Sequence, residues 1–497
     1  MAYDDLRDFI ETLDDKDELV RVQKEVDPVL EIAEITDRVS RREREHNKAL
    51  LFENVEGSDF PVLINSMGSE ERIRLALEVD ELDEIAERIE EILSFRPPDV
   101  GGVVGAIKNW GDVKEGIDLL REFRNYPPTK TKARKAACKK VVDHDPDLSD
   151  YPILKCWPSD GGRFITLPLV ISKGPEGKRN VGVYRMQVFD ETHTGMHWQM
   201  HKHGAKQYRD GDEEGMEVAV AIGADPATVY SGTAPLPFDI DEFLLAGFLR
   251  DKGVPLVEAE TVDLRVPANA EIVLEGRVLP EKRPEGPFGD HTGYYTPVEE
   301  FPVFEVDCIT RREEPVYHTT IVGKPPQEDA YLGKATERIF LPLIRTQFDE
   351  VVDMNLPVEG VFHNLLVVSI DKGYPGHARK VMMGMMSQGM LSLTKTVVVV
   401  DKDVDVHDEA EVLWAVTSRM DAARDVEIIE RAPLDHLEHA APRKAHGGKM
   451  GIDATRPWEG EGFERDWPDE IEMDDEVQER VDERWGEYGI VDADDDE

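Results

Sequence analysis

Arg283-Pro284-Glu285-Gly286-Pro287-Phe288-Gly289-Asp290-His291-Thr292-Gly293 is the stretch on which the reading of this chain turns. Proline fixes φ and glycine relaxes it, so the run predicts one irregular path that neither a helix nor a strand continues through. It punctuates a β-rich region, and it aims two carboxylates, Glu285 and Asp290, from a loop. Paired carboxylates suit general acid/base work, in which one group moves a proton and its neighbour tunes the first group's pKa. Taken alone, the run is equally compatible with an exposed turn whose acids face water.

Upstream, Asn180-Val-Gly-Val-Tyr184-Arg185-Met-Gln187 and Met196-His197-Trp198-Gln199-Met200-His201-Lys202-His203-Gly204 both read as strands, with β-branched and aromatic residues and apolar alternation. In the second piece a period of two puts His197, Gln199, His201 and His203 on one face and Met196, Trp198 and Met200 on the other. That makes one apolar face and one row of donors suited to a metal or anion.

These residues resemble the UbiD family of decarboxylases, which use prenylated FMN, and the resemblance spans nearly the whole chain. It rests on Asn180 to Arg185, His197-Trp198 through His201, Asp241-Glu242-Phe243, Val266-Pro-Ala-Asn-Ala-Glu-Ile-Val-Leu-Glu-Gly276, Pro284 to Tyr295, and Lys449-Met-Gly-Ile-Asp-Ala-Thr455. The Glu285…Asp290 loop is its most specific mark.

Among 497 residues, 105 are acidic and 59 basic, a formal charge of -46. Phosphate neutralisation needs Lys and Arg, so a general nucleic-acid binder is excluded. At 40% hydrophobic residues the chain is not disordered throughout. An acidic excess spread over an ordinary core fits a high-salt cytoplasm, where salt screens self-repulsion. Cys138, Cys156 and Cys308 form no close pair, so neither a zinc knuckle nor a disulfide framework is expected. The acidic N-terminus lacks a signal-peptide pattern, and no apolar run nears the ~20 residues that span a bilayer. A cytoplasmic protein is expected.

The pattern along the chain predicts a multidomain α/β protein. Residues 1–125 form an N-terminal α/β region, with Leu82, Ile85, Ala86, Ile89, Ile92 and Leu93 on one helical stripe before Pro97-Pro98. A linker over 126–144 holds the basic run Lys130 to Lys140, read as a solvated face. From 145 to 322 short strands predict a barrel or sandwich, interrupted by a helix over Asp239 to Leu249 with Phe243, Leu244, Gly247 and Phe248 apolar. From 323 to 458 the chain returns to α/β. Leu365–Ile370 and Thr396–Asp401 are doubly buried runs of parallel-sheet type, with helices over Val381–Met390 and Glu409–Met420. The acidic tail, 459–497, reads as a subunit-docking helix and a frayed end from Asp492 to Glu497.

The resemblance implies that the central region is a split β-barrel of flavin-reductase type carrying cofactor and metal. It implies catalytic roles for Arg185, Glu285 and Asp290, with Arg185 facing the substrate carboxylate, Glu285 transferring the proton and Asp290 completing an acid–Arg–acid network. To donate near neutral pH, one acid is expected to have a pKa raised by burial beside the other. The flavin contacts implied are Val183, Tyr184, Arg185, His197, Trp198, Lys202 and Lys395, the last also readable as a plain strand-edge lysine. Asn180, a His of the 197–203 row (His201 is chosen over His203) and Glu242 are the implied ligands of Mn²⁺, with K⁺ a further candidate ion. Amide, imidazole and carboxylate suit Mn²⁺ better than Zn²⁺. Asn180 and Arg185 have opposite strand parity, so a bulge at Gly182 is expected to bring both to one site.

Decarboxylation needs an electron sink, and no side chain is one. The resemblance supplies that sink as prenylated FMN, and the activity it implies is a carboxy-lyase acting on an aromatic or α,β-unsaturated small-molecule carboxylic acid, foremost a 4-hydroxybenzoate-type quinone precursor, with anhydromevalonate phosphate as the alternative. A flavin prenyltransferase is the implied cofactor supplier, and a homodimer or hexamer the implied assembly. From other classes, a metal-dependent hydrolase with Glu285 activating water and a flavin-binding subunit without turnover stand as rivals.

Overall fold

A computed structural model describes residues 2–94, 123–198, 203–209, 215–236, 240–471 and 473–489. The chain opens on a helix, Leu6–Asp15, whose N-cap Asp5 accepts from the Arg7 and Asp8 amides and which buries Leu6, Phe9, Ile10 and Leu13. Strands Leu19–Val22, Ala49–Phe52 and Val62–Ile64 follow, and the fourth strand of their sheet is Tyr317–His318, lying parallel to Val62–Ile64. The predicted stripe folds as helix Asp83–Ser94 and packs on the long helix Glu328–Arg345, with Arg345 reaching Glu90 at 2.8 Å.

The central sheet runs in the order His193–Gly195, Glu299–Arg311, Ile272–Glu285, Met216–Ile222, Leu169–Lys173, Arg179–Val183, with Val141–Asp143 alongside Glu299–Arg311. Among the described residues no strand pairing joins the two ends of this path. The hairpin of Ile272–Glu285 and Glu299–Arg311 shifts register at Glu275/Gly276 and at Val278/Lys282. At Gly276 a Cβ would meet the Glu305 carbonyl oxygen at 1.9 Å, so the two backbones touch where only glycine fits.

Three local expectations are corrected here. The Pro/Gly run does not exclude a strand, because Ile272–Glu285 carries Pro284 as far as Glu285, paired with Glu300 and Glu299. Past the second register shift this strand has a neighbour on one side only among the described residues, where a missing N–H is tolerated. The path turns at Gly286, whose φ of +102 favours glycine.

No bulge lies at Gly182. Arg179–Val183 pairs with Leu169–Lys173 in unbroken register, then stops, and Met186–Gln187 pairs with Phe164–Ile165 instead. Tyr184 and Arg185 sit in the gap between strands, which resets the side-chain direction.

The 196–204 stretch is not one strand. The strand ends at Gly195, His197 and Trp198 follow it, and His203 opens a helix, His203–Arg209. The alternating face therefore does not extend across it, and Gln199, Met200, His201 and Lys202 lie outside the described residues.

The helix expected over Asp239–Leu249 is Glu242–Leu249, capped by Asp241. It buries Phe243, Ala246, Gly247, Phe248 and Leu249 but exposes Leu244. The C-terminal sheet has the order Val351–Asn355, Leu365–Ile370, Thr396–Asp401, His446–Asp453, Val426–Pro433, with its three middle strands parallel. Leu366, Val368, Val397 and Val399 enter one apolar core and Val367, Val398 and Val400 another, so both faces of these strands are covered. The Met-rich helix is His377–Met385, shifted toward the N-terminus, and Met382 packs against Gly451. Helix Glu409–Arg419 matches its expected span. In the tail, helix Asp475–Asp482 buries no residue and Ile471 is exposed; residues 492–497 lie outside the described set. All three cysteines are buried and free.

Candidate active site

Arg185 stands between the two acids of the Pro/Gly run. Its Nε donates to Glu285 Oε1 at 3.1 Å, its Nη1 donates to Asp290 Oδ2, and its Nη2 donates to Thr296 Oγ1 at 3.2 Å. The guanidinium lies 4.4 Å from the centroid of the Phe288 ring. The side-chain exposures are 10% for Arg185, 0% for Glu285 and 7% for Asp290. The fork is thus shared by two carboxylates, each of which keeps one oxygen for an imidazole.

Glu285 Oε2 is 2.8 Å from His197 Nδ1, and Asp290 Oδ1 is 2.7 Å from His291 Nδ1 and accepts the His291 amide at 2.8 Å. His291 Nε2 lies 2.6 Å from Nε2 of His363, which precedes strand Leu365–Ile370 of the C-terminal sheet. The loop is held from beneath: Gln187 accepts the Gly286 amide at 2.6 Å and Asp160 the Gly289 amide at 2.8 Å. Gly195 lies against the Glu285 stem, where an added Cβ would be 3.2 Å from Cγ.

This arrangement reverses the expected pKa order. Burial pushes the Glu285 carboxyl up, but the charge and hydrogen bond of His197 and then those of Arg185 outweigh it and hold the group below the usual range. Asp290 is held lower in the same way, burial being outweighed by His291 and then Arg185. Neither acid is raised, because a cation stands between them where mutual repulsion was expected. The two imidazoles diverge. His197 is pushed down by burial and by Arg185, whereas Asp290, Asp329 and Asp435 push His291 up against the effect of burial.

A second polar corner lies at the other end of the Arg179–Val183 strand. Glu242, buried on the first turn of its helix, accepts the Val181 amide at 2.9 Å. Its neighbour Asn180 is buried with its amide nitrogen 3.4 Å from Tyr184 Oη. Among the described residues Glu242 meets no basic side chain at bonding distance, since Arg179 is engaged by Asp241, and burial pushes its carboxyl up to about 7. A buried carboxylate beside a buried amide, with no cation among the described residues, suits a hard metal ion. Among the described residues no three His, Cys, Asp or Glu converge on a point, and the expected third ligand, His201, lies outside them.

Between the two corners, Tyr184 and Trp198 are buried with ring centroids 6.4 Å apart. Trp198 Nε1 and His197 Nε2 are buried donor or acceptor atoms without a partner among the described residues, a polar lining that suits a heteroaromatic ligand. Val183, on the same strand, is part-buried; Lys202 lies outside the described residues. Lys395 does not join the Arg185 corner. It pairs with Glu438 at 3.0 Å, on a C-terminal loop whose His436 reaches Glu299 at 3.2 Å, and Glu299 is the strand partner of Glu285. Sequence reasoning missed His291, His363, His436 and Asp160. Only His291 had a visible signal, its place beside Asp290.

Three family models match this chain: the 3-octaprenyl-4-hydroxybenzoate carboxy-lyase N-terminal domain over residues 10–90, the Rift-related domain over 129–325 and the C-terminal domain over 330–454. An evolved dimeric form of the UbiD-class enzyme HmfF from Pelotomaculum thermopropionicum, solved in complex with prFMN, is 31% identical with a TM-score of 0.75, covering 94% of this chain and 97% of that one. The chain belongs to the UbiD family. The closed form of vanillic acid decarboxylase from Sedimentibacter hydroxybenzoicus superposes with a TM-score of 0.84 at 28% identity, covering 98% of this chain and 99% of that one. An uncharacterized protein of Archaeoglobus fulgidus is 57% identical over 492 residues, 98% of this chain and 99% of its own length. Both acids and the arginine described above fall within the Rift-related match of this UbiD chain.

Proposed function

We propose that this UbiD-family chain is a carboxy-lyase that releases CO₂ from an aromatic or α,β-unsaturated carboxylic acid. The observation that carries the reading is Arg185 bridging two buried acids, Glu285 and Asp290, in the matched domain. When bound, prenylated FMN supplies the electron sink that no side chain provides. The residues fit such a group: Tyr184, His197 and Trp198 would line it, with Val183, Lys202 and Lys395 as further proposed contacts. Asn180, Glu242 and His201 would hold Mn²⁺ against its phosphate, with K⁺ a secondary candidate.

The chain's own residues do the remaining work. Arg185 presents a planar cation at the mouth of the acid pair and orients the incoming carboxylate. Glu285 is ionised at rest, so it must take up a proton on a carboxylate oxygen before passing it to carbon. Asp290 holds Arg185 in place from the other side. Phe288, under the guanidinium, and Phe301, 4.2 Å from the His197 ring, keep water from this corner.

A 4-hydroxybenzoate-type quinone precursor is the proposed substrate, and anhydromevalonate phosphate the alternative. The proposal extends to a prenyltransferase that supplies the cofactor, a cytoplasmic homo-oligomer, and an acidic surface adapted to high salt. No helix among the described residues is long and apolar enough to cross a membrane. The test is CO₂ release from a panel of aromatic and unsaturated acids by protein made with a flavin prenyltransferase, alongside its visible spectrum. Turnover by flavin-free protein defeats the proposal.

A further inference from the structure

Releasing CO₂ from a carboxylate consumes one proton, R–COO⁻ + H⁺ → R–H + CO₂, so every turnover of the proposed reaction must bring a proton to a buried acid pair. Glu285 and Asp290 are 0% and 7% exposed, and Arg185, which never gives up its proton, walls them in. Two imidazoles touch the pair, and they differ in where they lead. His197 is 7% exposed, and its far nitrogen meets no partner among the described residues. His291 is 14% exposed, and its far nitrogen meets His363, a half-buried residue of the C-terminal half. Asp290 is thus buried, whereas His291 and His363 are both half-buried.

The contact between the two rings constrains their protons. Two Nε2 atoms 2.6 Å apart bond only if one carries hydrogen and the other does not, so a single proton lies between them. At the other edge His291 Nδ1 faces Asp290 Oδ1 at 2.7 Å, a distance at which a proton passes between imidazole and carboxylate. We infer that Asp290, His291 and His363 form the route by which protons enter the acid–Arg–acid corner, with His291 positioning Asp290 and His363 as the outer relay; the inference rests on the decarboxylase reading.

In one passage His363 takes a proton from water at Nδ1 and releases its Nε2 proton to His291 Nε2. His291 releases its Nδ1 proton to Asp290 Oδ1. Each ring gains one proton, loses one and ends in its other tautomer, and Asp290 ends with one added proton, across Arg185 from Glu285. The groups facing His291 favour the first of these transfers, from His363 to His291. Asp290 on its own loop, Asp329 at the start of helix Glu328–Arg345 and Asp435 on the C-terminal loop raise its basicity, while the Phe362 ring lies 5.4 Å away. His363 comes from the C-terminal half and His291 from the turn between Phe288–Gly289 and Tyr295–Thr296, so the route exists only when these two parts are docked.

The experiment follows the Asp290 carboxyl by infrared difference spectroscopy on ¹³C-aspartate-labelled holoprotein, with Asp290→Asn assigning the band, and CO₂ release on the same samples. His291→Leu is expected to raise the Asp290 titration by about one pH unit, and His363→Ala to raise it less, in the same direction. Turnover of His363→Ala should fall by ~10²-fold, and free imidazole should restore ~10-fold of it, which a merely structural role does not allow. Should His291→Leu fail to fold, His291→Asn keeps a neutral donor toward Asp290 and lacks the second nitrogen. It should leave the Asp290 titration near that of the unsubstituted protein and still turn over slowly. An Asp290 titration unchanged in His291→Leu and His363→Ala, with no imidazole rescue, overturns the relay while CO₂ release by the unsubstituted protein keeps the decarboxylase reading. If that protein releases CO₂ from no acid, the decarboxylase reading fails and the relay falls with it.

Discussion

Both ends of one short segment, Arg179–Gln187, serve a buried carboxylate, and the two ends treat it in opposite ways. At Arg185 every oxygen of Glu285 and Asp290 has a basic partner, from Arg185, His197 or His291, and both acids are held ionised. Beside Asn180, Glu242 is as deeply placed but among the described residues receives only backbone N–H groups, and burial pushes its carboxyl up to about 7. Burial is common to both, so it does not decide the charge state. The deciding factor is whether the chain itself brings the cation. The first corner is complete as folded. The second has no basic side chain at bonding distance among the described residues, which is why the metal is proposed there.

The largest effect tests the first corner. Glu285→Gln keeps shape and an amide but carries no proton, so decarboxylation should fall by ~10²–10⁴-fold with flavin still bound. Near-normal turnover with flavin in place would make the corner structural. Arg185→Lys should be severely impaired, because an ammonium cannot span two carboxylates and Thr296 at once. Measuring turnover and flavin occupancy together separates this from lost cofactor.

The second corner should fail differently. Glu242→Ala and Asn180→Ala are expected to lower bound manganese and bound flavin together, each at least about tenfold, since one ion is proposed to join protein and phosphate. Metal analysis and absorbance on the same samples check it, and flavin retained at normal occupancy would end the bridging role.

Smaller still is a stability effect with a definite sign. The depressed pKa of Asp290 means that its ionised form stabilises the fold above the ordinary carboxylate range, and that this stability is lost as pH falls through the lower folded value. Asp290→Asn should therefore flatten the decline of melting temperature below about pH 4. An identical acid slope in the two proteins would mean that the carboxylate gains nothing from its partners.

The mildest contrast sets these screened pairs against the surface. Between about 1 M and 0.1 M salt the Debye length grows from ~3 Å to ~10 Å, which exposes repulsion among surface acids and leaves the buried pairs alone. With a net charge of -46, the melting temperature should be lower in 0.1 M than in 2 M KCl. An unchanged value removes the high-salt reading of the composition.

What could be read without coordinates follows from how local each signal is. The runs Leu365–Ile370 and Thr396–Asp401 are strands as expected, because burial on both faces writes an unbroken apolar run. Arg185, Glu285 and Asp290 were picked out by their motifs, and the fold brings all three together. The stretch from Met196 to Gly204 misled, because alternation was extended past Gly195, where the sheet ends and a helix begins at His203. Pro284 misled in the other direction, since its tolerance depends on a neighbour missing from one side of its strand. His363 and His436 carry no local mark. They reach the site only because the C-terminal half lies against the central sheet.

The pairing of Tyr317–His318 with Val62–Ile64 has a consequence for biosynthesis. As the chain leaves the ribosome, the first sheet is left with a bare edge through the synthesis of the entire central sheet, and only then does its fourth strand arrive. A chain cut short before Tyr317 keeps that edge open, with Val62, Leu63 and Ile64 beside it, and an open apolar edge pairs with whatever strand it meets. The N-terminal region is thus the first made but is finished only after the central sheet, and truncations that spare every residue of it should still yield aggregates.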